Sequence, residues 1–309
     1  MSNSPILGVN HVGIVAHDAP ALARFYQAAA ALQAWPALDA LGLPGNGLAL
    51  AGPNAGLRLL PGGAAPQRRP VSEAGFTHVC LQSPAIAAVR EDFAQAQATF
   101  HSPLVDLGTG FLYCYSRDPE HNVTELEGVA PVWPDARPWI AHVNVACADL
   151  AGQCAFYGAL FGTSAARSPR LRGDKRLDQI ADLEGVALRM AWLNAGNLQI
   201  ELINYSEPAA LATTLSSTRR EPGAAGHAYA ALEVTSLDAA RAHLLACGGT
   251  LSDSVVAPGI ALAADPEGNP LWLLERGHLE QHGAAFTQLP QPDITARFAA
   301  ARAQWQGTT

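Results

Sequence analysis

The chain has 309 residues, with 19 Lys and Arg against 27 Asp and Glu, and its formal net charge is −8. Hydrophobic residues make up 49% of it, and its length predicts about two domains that each bury a hydrophobic core. The acidic balance argues against nucleic acid or an anionic membrane as a partner, because binding to phosphates depends on clustered Lys and Arg.

The first predicted unit is a strand followed by a helix and about three short strands. Residues Val9 to Ala16 are mostly apolar and β-branched, which indicates a strand, and Asp18 is placed to cap the helix after it. The apolar stripe of this helix consists of Leu22, Phe25, Tyr26 and Ala29. Glycine- and proline-rich turns then separate short strands at 47–51 and 56–60.

The same unit recurs three more times along the chain. Its later copies open with strands at Thr77 to Leu81, Ile140 to Cys147 and Tyr229 to Val234. Four consecutive units of one kind predict a fold built by internal repetition, with two units in each half of the chain.

Two motifs repeat between the halves. His-x6-Asp-x6-Phe-Tyr begins at His11 and again at His142, and Asp-Pro-Glu-x-Asn begins at Asp118 and again at Asp265. The first motif joins the opening strand of a unit to its helix, and the second is a turn that precedes an apolar strand.

A proline-rich stretch at 128–138 divides the halves and predicts a stiff linker. We therefore predict an N-terminal domain at 1–130, a C-terminal domain at 139–276 and a polar tail at 277–309. The second half also carries an insertion at 163–184 that contains several Arg and Lys residues. It is either a mobile lid that recognises an anionic substrate or a solvated loop.

Targeting and membrane signals are absent from the sequence pattern. The N-terminus has no positively charged segment before an apolar stretch, and no apolar run is long enough to span a membrane. The five cysteines form no Cys-x-x-Cys pair, which is typical of reduced thiols. We therefore expect a cytoplasmic protein.

Four β-α-β-β-β units, with a histidine in an opening strand and Asp-Pro-x-x-Asn before a closing strand, resemble the vicinal oxygen chelate superfamily. This superfamily includes glyoxalase I, methylmalonyl-CoA epimerase, fosfomycin and bleomycin resistance proteins and extradiol ring-cleaving dioxygenases. The resemblance implies an α+β fold in which the four βαβββ modules pair into two curved eight-stranded mixed-sheet domains. It also implies a small-molecule substrate, a homodimer and a divalent metal on the concave face of a sheet.

The resemblance places the metal ligands on the first and last strands of the modules. In the N-terminal half these positions hold His11, His78 and Glu125, whereas the last strand of the first module offers only Arg58 or Leu60. Two imidazoles and one carboxylate leave coordination positions open, so a substrate with two adjacent oxygens can chelate the metal.

In the C-terminal half the corresponding positions are only partly suited to a metal. They hold His142, Glu201, Tyr229 and Trp272. We expect a degenerate copy of the site there, and the sequence leaves open whether His142 and Glu201 bind a second ion.

Tyr115 stands shortly before an Asp-Pro pair and ahead of Glu125, which resembles the signature of extradiol dioxygenases. The resemblance implies a ring-cleaving dioxygenase of a catechol-like compound, with Fe(II) favoured over Mn, Ni, Co or Zn. Tyr115 would orient the substrate, and His101 is the nearest substitute for the histidine that the signature places upstream. His121 departs from the signature, which has glycine at that position.

Two other functions fit the same resemblance. One is a glyoxalase- or epimerase-like isomerase or lyase, in which the metal stabilises an enediolate while a carboxylate or histidine moves the proton. The other is a ligand-sequestering resistance protein that needs no metal. Metal content and oxygen uptake with catechols distinguish the three.

Overall fold

Two mixed β-sheets, of eight and ten strands, are formed with seven helices by the part of the chain that the structure describes. The structure is a computed structural model that describes residues 4–62, 65–108, 111–128, 138–207, 223–252 and 257–286. The predicted α+β class is confirmed, and each of the four modules begins with a long strand and a helix. None of the described helices is long and apolar enough to cross a bilayer.

The first half of the chain contains two modules. The first consists of β1 (Ile6–Ala16), α1 (Ala19–Ala30), β2 (Gln33–Ala34), α2 (Pro36–Asp39), β3 (Leu48–Ala51) and β4 (Gly56–Pro61). The second consists of β5 (Gly75–Ser83), α3 (Ile86–Gln95), β6 (Thr99–Phe100), β7 (Val105–Asp106), β8 (Leu112–Arg117) and β9 (Val123–Gly128).

The second half repeats this order with additions. The third module consists of β10 (Trp139–Ala146), α4 (Leu150–Phe161), β11 (Ala166–Arg167), β12 (Leu171–Arg172), α5 (Lys175–Ala181), β13 (Ala187–Asn194) and β14 (Gln199–Glu207). The fourth consists of β15 (Gly226–Val234), α6 (Leu237–Ala246), β16 (Thr250–Leu251), β17 (Ile260–Ala264) and β18 (Pro270–Glu275), and α7 (Arg276–Gln281) follows it.

The modules pair across the halves of the chain, which differs from the prediction. The first sheet has the order β16-β17-β18-β15-β1-β4-β3-β2 and joins the first module to the fourth. The second sheet has the order β11-β13-β14-β10-β5-β9-β8-β6, with β12 on β13 and β7 on β8, and joins the second module to the third. Each of the predicted domains, 1–130 and 139–276, therefore contributes one of its modules to the first sheet and the other to the second sheet, because the opening strands pair between the halves.

Some sequence predictions fall outside the described residues. These are most of the linker, at 129–137, and the part of the tail at 287–309. The described start of the tail contains α7.

The two repeated motifs contact each other and so join consecutive modules. The hydroxyl of Tyr26, at the end of the first motif, donates to Asp118 at 2.9 Å. Glu120 of the second motif accepts hydrogen bonds from the backbone amides of His17 and Asp18, both at 2.7 Å. The second half repeats these contacts between Tyr157 and Asp265, and between Glu267 and the amides of Ala148 and Asp149.

Two buried asparagines connect the sheets themselves. The side chain of Asn197 accepts from the amide of Val9 at 2.9 Å and donates to the carbonyl oxygens of Val9 and Asn54. The side chain of Asn54 donates to the carbonyl oxygens of Ile140 and Asn197. The largest hydrophobic cluster likewise draws buried residues from both sheets, so the described modules share a core.

Candidate metal centre and its cavity

Four buried side chains, two histidines and two glutamates, converge at the centre of the second sheet. His78 lies on β5 and His142 on β10, and these two opening strands are antiparallel neighbours. Glu125 lies on β9 beside β5, and Glu201 lies on β14 beside β10. The pairing of two modules therefore supplies one imidazole and one carboxylate from each.

The spacing of the four side chains suits a single ion. Glu125 Oε2 lies 3.2 Å from His78 Nε2 and 3.0 Å from His142 Nε2. Glu201 Oε2 lies 3.5 Å and 3.2 Å from the same two nitrogens, and all four candidate ligand atoms lie within 4.8 Å of one another. Neighbouring donors of an ion bound at ~2.1 Å would be ~3.0 Å apart, so the donor set fits a divalent metal.

Hydrogen bonds from surrounding residues hold the donors in place. The Thr77 hydroxyl donates to Asn144 Oδ1 and accepts from His78 Nδ1, which turns the lone pair of Nε2 toward the cluster. Asn144 Nδ2 donates to Glu201 Oε2 at 3.0 Å, and Trp192 Nε1 donates to Glu201 Oε1 at 2.9 Å.

The electrostatics of the cluster favour positive charge between the carboxylates. Burial disfavours the charged imidazolium of His142, but the negative charges of Glu201 and Glu125, together with the neighbouring Cys80, outweigh burial and hold its pKa well above the ordinary value. Burial likewise opposes ionisation of both glutamates, yet His142 together with His78 lowers the pKa of each. A divalent cation satisfies the same carboxylates without protonating the histidines.

A cavity of about 550 Å³ opens onto the metal donors. Its wall is mostly apolar and aromatic, and Arg170, Arg172 and Asp174 lie at one side of it. The apolar lining consists of Leu107, Phe111, Tyr113, Tyr115, Leu171, Leu177, Ile180, Met190 and Trp192. Most of the residues from 170 to 180 belong to β12 and α5, so the insertion predicted as a lid or a loop forms part of the cavity wall.

The predicted convergence of His11 with His78 and Glu125 is wrong, because His11 lies on β1 in the other sheet. There its Nε2 contacts the hydroxyl of Tyr229 at 3.1 Å, and Arg58 Nη1 donates to the same hydroxyl at 3.4 Å. Burial and the neighbouring charge of Arg58 lower the pKa of His11 well below its ordinary value. The Arg58 guanidinium thus lies on the last strand of the first module, at the position where the last strands of the second and third modules carry a carboxylate.

Tyr115 lies in the cavity wall beside the donors, with its ring 4.8 Å from that of His78. His101 does not line this cavity. Its Nδ1 donates to the carbonyl oxygen of Ile180 at 2.9 Å, and Arg117 Nε donates to its Nε2 at 2.8 Å. Burial lowers the pKa of His101 to about 4, so the ring is neutral at pH 7 and anchors α5 to β6 and β8 instead of acting on a substrate.

Sequence reasoning named His142 and Glu201 but assigned them to a separate, degenerate site. The signal that unites them with His78 and Glu125 is the symmetry of the surviving residues: the second and third modules each retain one histidine and one glutamate. Trp192 carried no such signal, since an aromatic residue in a strand is usually a packing residue.

The comparisons with known proteins support the fold described above. Residues 142–274 match the model of the glyoxalase-like domain family. Glyoxalase I from Zea mays is 15% identical, with a TM-score of 0.62 over 89% of this chain and 94% of that chain. A putative dioxygenase from Bacillus subtilis is 11% identical, with a TM-score of 0.59 over 93% of this chain and 90% of that chain. No curated protein matches the chain.

The match over residues 142–274 and the shared fold make this chain similar to the vicinal oxygen chelate superfamily. Most members of this superfamily are enzymes that bind small molecules, and many bind a divalent metal. The likeness to the two solved structures is one of fold, because both identities are low. Any assignment of the chain's reaction therefore depends on its own side chains.

Proposed function

We propose that the chain is a metal-dependent enzyme that acts on a small molecule through two adjacent oxygens. The observation that carries this proposal is the buried cluster of His78, Glu125, His142 and Glu201 at the edge of an apolar cavity. Two buried carboxylates and two buried imidazoles are costly to maintain unless a partner satisfies them. A metal-free sequestering protein would have no use for this arrangement.

Among the metal-dependent reactions, the donor set favours isomerase or lyase chemistry over ring cleavage. A ring-cleaving dioxygenase has to accommodate both catechol oxygens and dioxygen, which requires three coordination positions beside a two-histidine, one-carboxylate site. Four protein donors leave two positions of a six-coordinate ion. Those two suffice for a substrate with adjacent oxygens and for the removal of a proton from the neighbouring carbon.

When bound, the ion would polarise the two substrate oxygens as a Lewis acid. Imidazole and carboxylate donors accept Ni, Co, Zn, Mn and Fe(II), and we propose one of the first three as the working metal because the reaction requires no redox change.

The chain itself supplies proton transfer and exclusion of water. Glu125 and Glu201 both line the cavity, but the Trp192 indole fixes the second oxygen of Glu201. In the second module, Tyr115 pairs with Glu125 as Trp192 pairs with Glu201 in the third module. We therefore assign the movement of the proton to Glu125, while the aromatic wall keeps solvent from the exposed carbon.

Exchange of substrate hydrogen for deuterium tests this proposal without knowledge of the natural substrate. The protein, loaded with Ni, Co or Zn, is incubated in D2O with a panel of α-hydroxycarbonyl compounds and thiol adducts of 2-oxoaldehydes. We expect deuterium to enter the carbon beside the carbonyl, as followed by NMR. His142→Ala should abolish the exchange, and His11→Gln should leave it intact.

A ring-cleaving dioxygenase is the second candidate, because Tyr115 lies beside the metal donors as the dioxygenase resemblance implies. The Fe(II)-loaded protein is therefore assayed for oxygen uptake with catechols. Uptake of oxygen without any hydrogen exchange would overturn the isomerase or lyase assignment.

A further inference from the structure

An approximate two-fold relation connects the two modules around the metal donors. On β5 and β10, His78 pairs with Asn144 and Cys80 pairs with His142. Glu125 then stands beside Cys80, and Glu201 stands beside Asn144. The relation therefore exchanges the two histidines with each other and the two glutamates with each other.

The residues next to the four donors do not follow this two-fold relation, because their types differ between the second and third modules. The second module has Cys80, Gln82 and Glu127 at the positions where the third has Asn144, Ala146 and Ile203. Asn144 supports a metal donor directly through Glu201. In the second module, Cys80 and Gln82 instead contact Glu127, which is not one of the four donors. Support of a metal donor therefore does not explain these three residues.

One member of this polar group, Glu127, lines the cavity. Glu127 is 4% exposed, and Gln82 Nε2 donates to its Oε2 at 2.7 Å. Cys80 Sγ lies 3.7 Å from the same oxygen. Gln82 is only 1% exposed, and its Oε1 has no hydrogen-bond partner among the described residues. Glu127 therefore presents a carboxylate acceptor to the cavity, and the hydrogen bond from Gln82 orients it.

The polar group also lies close to the metal position. A carboxylate oxygen of Glu127, the Cys80 sulfur and a ring nitrogen of His142 lie within 4.8 Å of one another. A group held by Glu127 would therefore lie close to a ring nitrogen of His142, which is one of the four candidate metal donors.

We propose that Glu127 and Gln82 form a subsite for a hydrogen-bond donor, such as a hydroxyl, that the substrate carries next to its two chelating oxygens. This inference rests on the proposed function, since it places the donor relative to the chelated pair. Ile203 stands at the position in the third module that Glu127 holds in the second, and its side chain has no polar atom, so the pair favours one orientation of the substrate. The substrate class is thus a small molecule with three adjacent oxygen or nitrogen functions.

Binding of catechol and of pyrogallol to the Zn-loaded protein tests the inference, since pyrogallol adds one hydroxyl beside the chelating pair. Both affinities are measured anaerobically by calorimetry. A hydrogen bond to a buried carboxylate predicts that wild type prefers pyrogallol by about tenfold or more. In Glu127→Gln the preference should fall to about twofold, which two equivalent chelating pairs give statistically.

Three further measurements make the outcome decisive. Glu127→Gln should keep a full metal content, and loss of the metal would assign Glu127 as a ligand and overturn the subsite. Gln82→Met should reduce the preference for pyrogallol partially, and it serves if Glu127→Gln does not fold. The control variant Glu91→Gln changes an exposed glutamate and should keep the full preference for pyrogallol.

The inference and the proposed function fail in different ways. If catechol binds the Zn-loaded protein and pyrogallol binds no better, only the subsite is overturned. If catechol itself does not bind, chelation and the subsite are both overturned.

Discussion

The side chains on nearby strands give His142, and not His11, two carboxylates as neighbours. His11 and His142 begin the same sequence motif. His142 faces two carboxylates, whereas His11 faces the Tyr229 hydroxyl near the Arg58 guanidinium. A buried positive charge repels a cation, so the first sheet is unsuited to hold the ion that we propose for the second sheet.

Substitution of the two histidines should therefore have opposite results. We expect His142→Ala to weaken metal binding by on the order of a hundredfold or more, because it removes one of four donors. His11→Ala should leave the affinity unchanged within about twofold. Metal titration of the two purified variants measures both effects, and a loss of metal in His11→Ala would contradict this placement.

The indole of Trp192 provides a subtler test at the same scale. Trp192→Phe keeps the packing but removes the hydrogen bond to Glu201 Oε1. Residues that orient ligands typically contribute tenfold to a hundredfold to affinity, so we expect a loss of about that size with an unchanged number of bound ions. Competition with a chelator of known affinity measures it. An unchanged affinity would mean that the indole does not position the carboxylate.

At the scale of elements, α5 closes the cavity and His101 fixes it there. The neutral ring of His101 bridges Ile180 of α5 and Arg117 of β8. Protonation would put a second positive charge beside Arg117 and remove the acceptor that its guanidinium uses. The dioxygenase resemblance suggested His101 because it is the nearest substitute for the histidine that the signature places upstream of the tyrosine, but the hydrogen-bond partners of His101 are set by the fold.

Acid should therefore loosen this anchor. Burial lowers the pKa of His101 to about 4, compared with about 6.5 when unfolded, so the unfolded chain binds more protons between these values. The stability contributed by the neutral ring is complete above about pH 6.5 and is lost as the pH falls toward 4.

We expect the urea midpoint of wild type to fall more between pH 7 and pH 5 than that of His101→Gln, whose amide makes similar hydrogen bonds without titrating. Equal pH dependence in the two proteins would show that His101 is not responsible.

The pairing of elements also marks the limit of what the sequence predicts. Within one module, His78 and Glu125 lie on adjacent parallel strands, and both are positions that the family resemblance names from the sequence. Which module pairs with which depends on contacts between distant strands, such as β5 with β10 and β1 with β15. No local pattern encodes that choice, so the same sequence positions led to a site with His11 in place of His142 and Glu201.

For the whole molecule, the buried pair Asn54 and Asn197 joins the sheets that hold and support the site. Asn197→Ala would leave both backbone groups of Val9 and the carbonyl oxygen of Asn54 without their side-chain partner. We expect a loss of about 2–4 kcal/mol in the free energy of unfolding, measured with urea. Asn194→Ala, at an exposed position, should cost less than about 1 kcal/mol. Equal losses would exclude a special role for the buried asparagine.

The most direct test is anomalous diffraction from crystals of the full chain loaded with Ni, Co or Zn and collected at the metal absorption edge. A peak within about 2.0–2.3 Å of His78 Nε2, His142 Nε2 and one oxygen each of Glu125 and Glu201 is the expected result. A peak beside His11, or one that contacts His78 and Glu125 without His142 and Glu201, would contradict a metal centre built from both halves of the chain.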